Sequence, residues 1–150
     1  MTAALLPEPP GPAPDAPGLS VDSRTLYAWR TRINEAARAR HPAGFRVVLY
    51  ALTCPGGDPA HDLAAAQGLA ARLRFDVADR VADDQGESAP LLRPGWCRLR
   101  SMLADPASGV HGIIAASRTA VSRDRLYLAE LAWLAGHAAG LWLVRKETDL

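Results

Sequence analysis

From residue 21 onward, the apolar positions switch between a helical and an extended period. Leu26, Trp29, Ile33 and Ala37 recur every three or four residues, which sets them on one side of a helix. Asp22 or Ser23 is placed to cap that helix, and it runs to about Arg40, where His41-Pro42 stops it. Arg24, Arg30, Arg32, Arg38 and Arg40 occupy its other faces and are expected in solvent. Phe45 to Leu52 (FRVVLYAL) is nearly continuously apolar and rich in β-branched and aromatic residues, as a central parallel strand is. A helix follows over about Pro59 to Arg74, with Leu63, Ala66, Ala70 and Leu73 inward. Phe75, Val77 and Val81 alternate as a second, weaker strand. After a loop from Asp83 to Leu92, Pro94 suits the first turn of a helix whose inner face is Trp96, Leu99 and Leu103, and Gly109 ends that connection. Ile113 to Ala116 has the length of a buried strand. The next helix is expected to start at Ser122 as N-cap, to carry Leu126, Leu131, Leu134 and Ala138 on one side, and to stop at Gly140 before a last strand, Leu141 to Val144. Strands alternating with helices imply an α/β fold with a mainly parallel sheet covered on both faces.

Composition changes this reading only at the start of the chain. Residues 1–20 hold six of the twelve prolines, at positions 7, 9, 10, 12, 14 and 17. Proline fixes φ and lacks an N–H, so this segment reads as a disordered, extended tail, either a spacer or a Pro-rich ligand for a partner. Three regions result: the tail over 1–20, an amphipathic helix and linker over 21–44, and an α/β domain over 45–150.

The 150 residues are 49% hydrophobic with a net charge of +1, which suits one soluble domain and lacks the strong basic excess of a dedicated DNA-binding module. There is no apolar run of the roughly 20 residues that a membrane span needs, and no secretory leader pattern, so a cytoplasmic setting without membrane contact is expected. Two cysteines imply no disulfide framework. The four histidines show no paired ligand spacing, so no metal and no cofactor are expected.

The candidate chemistry gathers where strands give way to helices. Ligands bind beyond the carboxyl ends of strands in parallel sheets, and Cys54, Arg93, Arg118 and Arg123 all map to that end or its flanking loops. Arg118 and Arg123 follow the third strand beside Ser122 and a helix start, a place that attracts phosphate; the alternative is an ordinary loop with solvated arginines. Cys54 follows the first strand and precedes a helix, whose dipole favours thiolate, and Gly56 and Gly57 would let backbone N–H groups approach an anion. A buried, inert cysteine is the alternative. Cys54-Pro55-Gly56-Gly57 is also like a thioredoxin-type turn lacking its second cysteine, since Cys97 belongs to another element.

Several of these segments, in order and over about Phe45 to Thr148, resemble the catalytic domain of serine recombinases, the resolvase/invertase family. Tyr50-Ala51-Leu52-Thr53-Cys54 matches the family's Tyr-x-Arg-x-Ser, whose serine attacks DNA. Gln67 stands for a helical glutamine, and Asp84-Gln85-Gly86-Glu87-Ser88-Ala89 for Asp-x-Gly-x-Ser-Gly. Arg93-Pro94-Gly95-Trp96 matches the Arg-Pro-Gly-aromatic helix start, and Thr119 to Asp124 matches Asp-Arg-Leu-Ser-Arg-Asp. Gly140 to Leu143 resembles the closing Gly-Val-x-Leu strand. The resemblance implies a resolvase-like three-layer domain and an ancestry in DNA cleavage and rejoining, with Cys54, Arg93 and Arg123 at catalytic positions; the loop reading above adds Arg118, Gly56, Gly57 and Ser122 about the phosphate.

The departures are chemical. The nucleophile position holds Cys54, and two of the family's arginines are replaced by Leu52 and Ala120, with Arg118 a possible stand-in for the second. The long helix and DNA-binding domain that the family carries beyond this point are not in the sequence, and an N-terminal helix is added. The expected function is therefore a degenerate, non-catalytic binding or regulatory module, with DNA or another phosphate-bearing ligand, a protein partner or a second copy as candidates. An active recombinase-type enzyme using Cys54 and a thiol redox protein are the alternatives. Cys54, Arg93 and Arg123 are expected to face one concavity.

Overall fold

The computed structural model describes residues 21–149, and the expectation of a disordered tail over 1–20 lies outside them. Four strands, β1 (Arg46–Leu52), β2 (Asp76–Asp83), β3 (Gly112–Ala115) and β4 (Gly140–Leu143), form one sheet in the order β2-β1-β3-β4. Every neighbouring pair is parallel. β1 is central, and its residues Val47 to Ala51 are all buried, which is why its sequence shows no alternation. β2 is an edge strand with a bulge at Ala78, since Val47 pairs with Val77 and Val48 with Asp79.

The pleat sends alternate β1 residues to opposite faces. Val48 and Tyr50 join a core built with α1 (Ser23–Ala39), α3 (Pro94–Ala104) and α4 (Leu126–Gly136). Val47 and Leu49 join a smaller core under α2 (Ala60–Leu73), where Phe45, Phe75 and Trp142 pack ring to ring at 4.9–5.0 Å. The result is three layers: helices α1, α3 and α4, the sheet, and α2.

α1 packs through Leu26, Trp29 and Ile33, as its periodicity predicts. Arg30 departs from the expectation of a solvated basic face. It is buried, donates from Nε and Nη2 to the Glu147 carboxylate at 2.7 and 3.0 Å, and from Nη1 to the Leu141 carbonyl at 2.9 Å. The reason is the second edge of the sheet. β4 has no strand neighbour beyond it, so its backbone groups need partners. The Asn34 amide supplies them as a strand would, accepting from Leu141 N–H and donating to Leu141 C=O, both at 2.8 Å. Glu147 takes a third bond from the Tyr127 hydroxyl at 2.6 Å. Burial alone would raise this carboxyl, but Arg30 and then Tyr127 outweigh it and hold Glu147 below the ordinary carboxylate range.

Two expectations about the last helix are corrected. α4 starts at Leu126 after Arg125 as N-cap, which offers no side-chain cap; Asp124 Oδ1 accepts from Leu126 N–H at 2.9 Å, and the Ser122 hydroxyl donates to Asp124 at 2.7 Å. This shift turns Leu126 outward and puts Tyr127 in the core. The helix ends at Gly136, and Ala138 follows with φ +53°. Gly140 opens β4 instead of stopping the helix, because a Cβ there would lie 2.5 Å from the Trp142 ring.

Candidate functional site

The carboxyl ends of β1, β3 and β4 surround a cleft of about 410 Å³. β1 delivers Leu52, Thr53 and Cys54 to its wall; β3 delivers Ala116 and Ser117. The loop after β2 contributes Gly86 and Glu87, the loop before α4 contributes Thr119, Ala120 and Arg123, and Arg145 enters from beyond β4. Asp62, in the first turn of α2, closes the side.

Cys54 is exposed at the head of a tight turn. Gly57 N–H donates to Cys54 C=O at 2.8 Å, Pro55 occupies the second place, and Gly56 the third with φ +79°. This is a type II turn, and its third place requires a positive φ. Gly57 is required because a Cβ would meet Thr53 Cβ at 2.9 Å and Cys54 O at 3.0 Å. Both glycines are thus explained by chain geometry, and the Gly57 N–H is already engaged in the turn. The turn is held over the sheet by Thr53, whose N–H donates to Asp83 C=O and whose C=O accepts from Gly86 N–H, each at 2.9 Å.

Arg123 lines the cleft and pairs through Nε with the Glu87 carboxylate. Arg93 does not line it. Its guanidinium is 1% exposed and fully engaged by backbone, with Nε and Nη2 on the Ser88 carbonyl at 3.0 and 2.6 Å and Nη1 on the Ala120 carbonyl at 2.7 Å. Arg93 therefore ties the loop after β2 to the loop after β3 from beneath. Arg118 is drawn away as well: it lies 4.4 Å over the Tyr127 ring and donates to the carbonyls of Ser122 and Asp124 at 3.2 Å. Ser122 is buried and serves Asp124. Gln67 accepts from Arg80 at 2.5 Å on the far part of α2. The structure thus brings Cys54 and Arg123 together and keeps Arg93 and Arg118 apart from them.

Beneath the site lies a cluster that pattern reading missed. Asp83 ends β2 buried and accepts from Gly95 N–H at 2.7 Å, Trp96 N–H at 2.9 Å and Tyr50 O–H at 2.7 Å. Its carboxylate caps α3 from another element, the charge a helix N-terminus favours. Burial, with the Asp83 bond, pushes the Tyr50 hydroxyl far above its ordinary range, against the pull of nearby Arg93. Arg145 was also missed, although it stands two residues beyond β4, and the carboxyl-end rule that selected Cys54 would have found it. Cys97 is half-buried on α3 and directs its thiol to the Leu91 carbonyl at 3.3 Å, so it offers Cys54 no partner within the cleft. Among the described residues, no three His, Cys, Asp or Glu side chains gather as a metal site, and no helix is long and apolar enough to cross a membrane.

No family model and no curated protein sequence matches the chain. Solved structures do. The C-terminal catalytic domain of ISC1926 TnpA, an IS607-like serine recombinase, superimposes with a TM-score of 0.58 at 14% identity, over 67% of this chain and 70% of that one. The N-terminal catalytic domain of TP901-1 integrase superimposes with a TM-score of 0.57 at 16% identity, over 66% and 76%. The chain has the fold of a serine recombinase catalytic domain. Within this recombinase fold, Leu52 and Ala120, the two positions where the motif resemblance expects guanidinium groups, both form walls of the cleft. An aliphatic and a methyl side chain stand there instead of cations.

Proposed function

We propose that this chain is a recombinase-fold module that binds a phosphate-bearing ligand, with the DNA backbone foremost, and does not exchange strands. The observation carrying the reading is the make-up of the cleft around Cys54. Phosphoryl transfer is catalysed mainly by preorganised positive charge at the developing oxyanion, and one lost donor costs roughly 10²–10³ in rate. Leu52 and Ala120 supply none, and Arg93 is committed to two carbonyls. What remains beside the thiol is Arg123, Arg145 and the hydroxyls of Thr53, Ser117 and Thr119, a set suited to holding an oxyanion.

The test is incubation of wild type and Cys54→Ser with supercoiled plasmid, followed by denaturing analysis for a covalent protein–DNA adduct. The expected result is no nicking and no adduct with either protein. An adduct through residue 54 in either one would replace this reading with that of an active enzyme. Binding is read separately, as salt-dependent anisotropy of a labelled duplex, because phosphate contacts release counterions.

A further inference from the structure

We propose that Arg123 and Arg145 form a two-guanidinium seat for a phosphate oxyanion above Cys54, and that Glu87 occupies Arg123 as an internal competitor for that seat. The inference rests on the ligand-binding reading above and names its residues and its control. Arg145 is set in place by its own backbone: its N–H donates to Ala116 C=O at 2.8 Å, which anchors it beside the end of β3. Its side chain lines the cleft and makes no ion pair with any described residue. Arg123 reaches the same cleft from the opposite loop.

The Glu87–Arg123 pair bridges the loop after β2 and the loop before α4. Its side chains are 66% and 70% exposed, and exposed pairs of this kind contribute little and are readily exchanged. A carboxylate satisfies one guanidinium, whereas a phosphate presents enough oxygens to bridge two. Charge points the same way. The cleft holds two guanidiniums, Arg123 and Arg145, against two carboxylates, Asp62 and Glu87, and is therefore balanced as it stands. Swinging Glu87 out leaves an excess of one positive charge facing the ligand. The hydroxyls of Ser117 and Thr119 lie 2.7 Å apart, so one of their two protons serves that bond and the other is available to an oxyanion.

The experiment uses the full chain and two probes, a short fluorescein-labelled duplex read by anisotropy and inorganic phosphate read by amide chemical shifts. Either probe can fill the seat, and which one responds says whether the oxyanion belongs to a nucleic-acid backbone or to a free ligand. Glu87→Gln is expected to tighten binding about twofold to fivefold, the worth of the exposed pair. Arg145→Gln and Arg123→Gln are each expected to weaken it about tenfold, as the loss of a charge-assisted bond does. In the Arg123→Gln background, Glu87→Gln is expected to give no gain. Binding insensitive to Arg123→Gln and Arg145→Gln, or a Glu87→Gln gain that persists without Arg123, would overturn the seat and leave the ligand-binding reading standing. No response of wild type or Glu87→Gln to either probe would overturn both.

Discussion

Gly95→Ala is the substitution for which the fold predicts the clearest cost. Ala is the better helix former, so intrinsic propensity alone favours the change by about 0.5–1 kcal/mol. At this position, however, an added Cβ would stand 2.8 Å from both Asp83 carboxylate oxygens and from Val81 Cγ1. Nothing at that distance is tolerated, so either β2 or the start of α3 must move. Asp83 holds three charge-assisted hydrogen bonds, to Gly95 N–H, Trp96 N–H and the Tyr50 hydroxyl, at 2.7–2.9 Å. Each such bond is worth about 1.5–3 kcal/mol. Displacing the carboxylate far enough to weaken one or two of them, less the propensity gain, costs about 2–3 kcal/mol. For a domain of this size that lowers the melting temperature by about 6–12 °C. The assay is thermal unfolding by circular dichroism beside Gly68→Ala, a helical glycine on α2 whose added Cβ would meet nothing nearer than an Arg72 nitrogen at 3.8 Å. Gly68→Ala is expected to raise the melting temperature by about 2–4 °C. If Gly95→Ala also raised it, Asp83 would not be the cap of α3 and the reasoning would fail.

Three further outcomes follow from buried or stacked groups. Glu147 titrates below its ordinary 4.5 in the folded chain, so its stabilising contribution is full above that pH and is lost as pH falls through the folded value; Tyr127→Phe removes the donor at 2.6 Å and is expected to move acid unfolding, followed by fluorescence, to higher pH. His41 and His111 stack at 3.6 Å, and His111 Nδ1 accepts from Arg46 N–H; burial, then Arg40 for His41, and burial, then His41 and Arg46 for His111, hold both rings below 6.5. The unfolded chain then takes protons first, so urea stability is expected to fall as pH drops from about 7.5 to 5.5, with a shallower fall in His111→Gln. Arg93→Lys is expected to lower the melting temperature, because one ammonium cannot replace the planar fork that reaches the carbonyls of Ser88 and Ala120 together.

The sheet was legible because its strands are short apolar runs bounded by turn chemistry. Phe45 to Leu52 against Arg46–Leu52, and Pro59 to Arg74 against Ala60–Leu73, differ only at their ends. What escaped pattern reading depends on contacts between distant parts of the chain. Arg30 looks like any solvated arginine until Glu147, 117 residues away, is placed against it. The start of α4 lies later than Ser122 because Ser122 bonds Asp124, whose Oδ1 in turn holds the Leu126 N–H, and only the burial of Tyr127 fixes that register. At the site, the rule of strand ends selects Cys54, Arg93, Arg118 and Arg123 alike, but it says nothing about where a guanidinium points, and only Cys54 and Arg123 of the four line the cleft.

The position of Arg93 accounts for an Arg-Pro-Gly-Trp signature beneath a cleft whose walls carry Leu52 and Ala120. Each member of the signature has a structural duty without reference to catalysis. Pro94 opens α3, Gly95 makes room for Asp83, and Trp96 fills the core while its indole N–H donates to Glu130 at 2.6 Å. Arg93 carries a buried positive charge, and burying a charge is costly unless it is compensated. The compensation is the pair of carbonyls of Ser88 and Ala120, which take its Nε, Nη1 and Nη2 donors at 2.6–3.0 Å. Arg93 thus ties together the two loops bearing Glu87 and Arg123, while Asp83 fastens α3 to the sheet through Gly95, Trp96 and Tyr50. The side chains of Leu52 and Ala120 take no part in this tie, whereas removing Arg93 leaves the carbonyls of Ser88 and Ala120 without their donors. The distinction is measurable, since Arg93→Lys should weaken folding and oxyanion binding together, while Arg145→Gln should weaken binding alone.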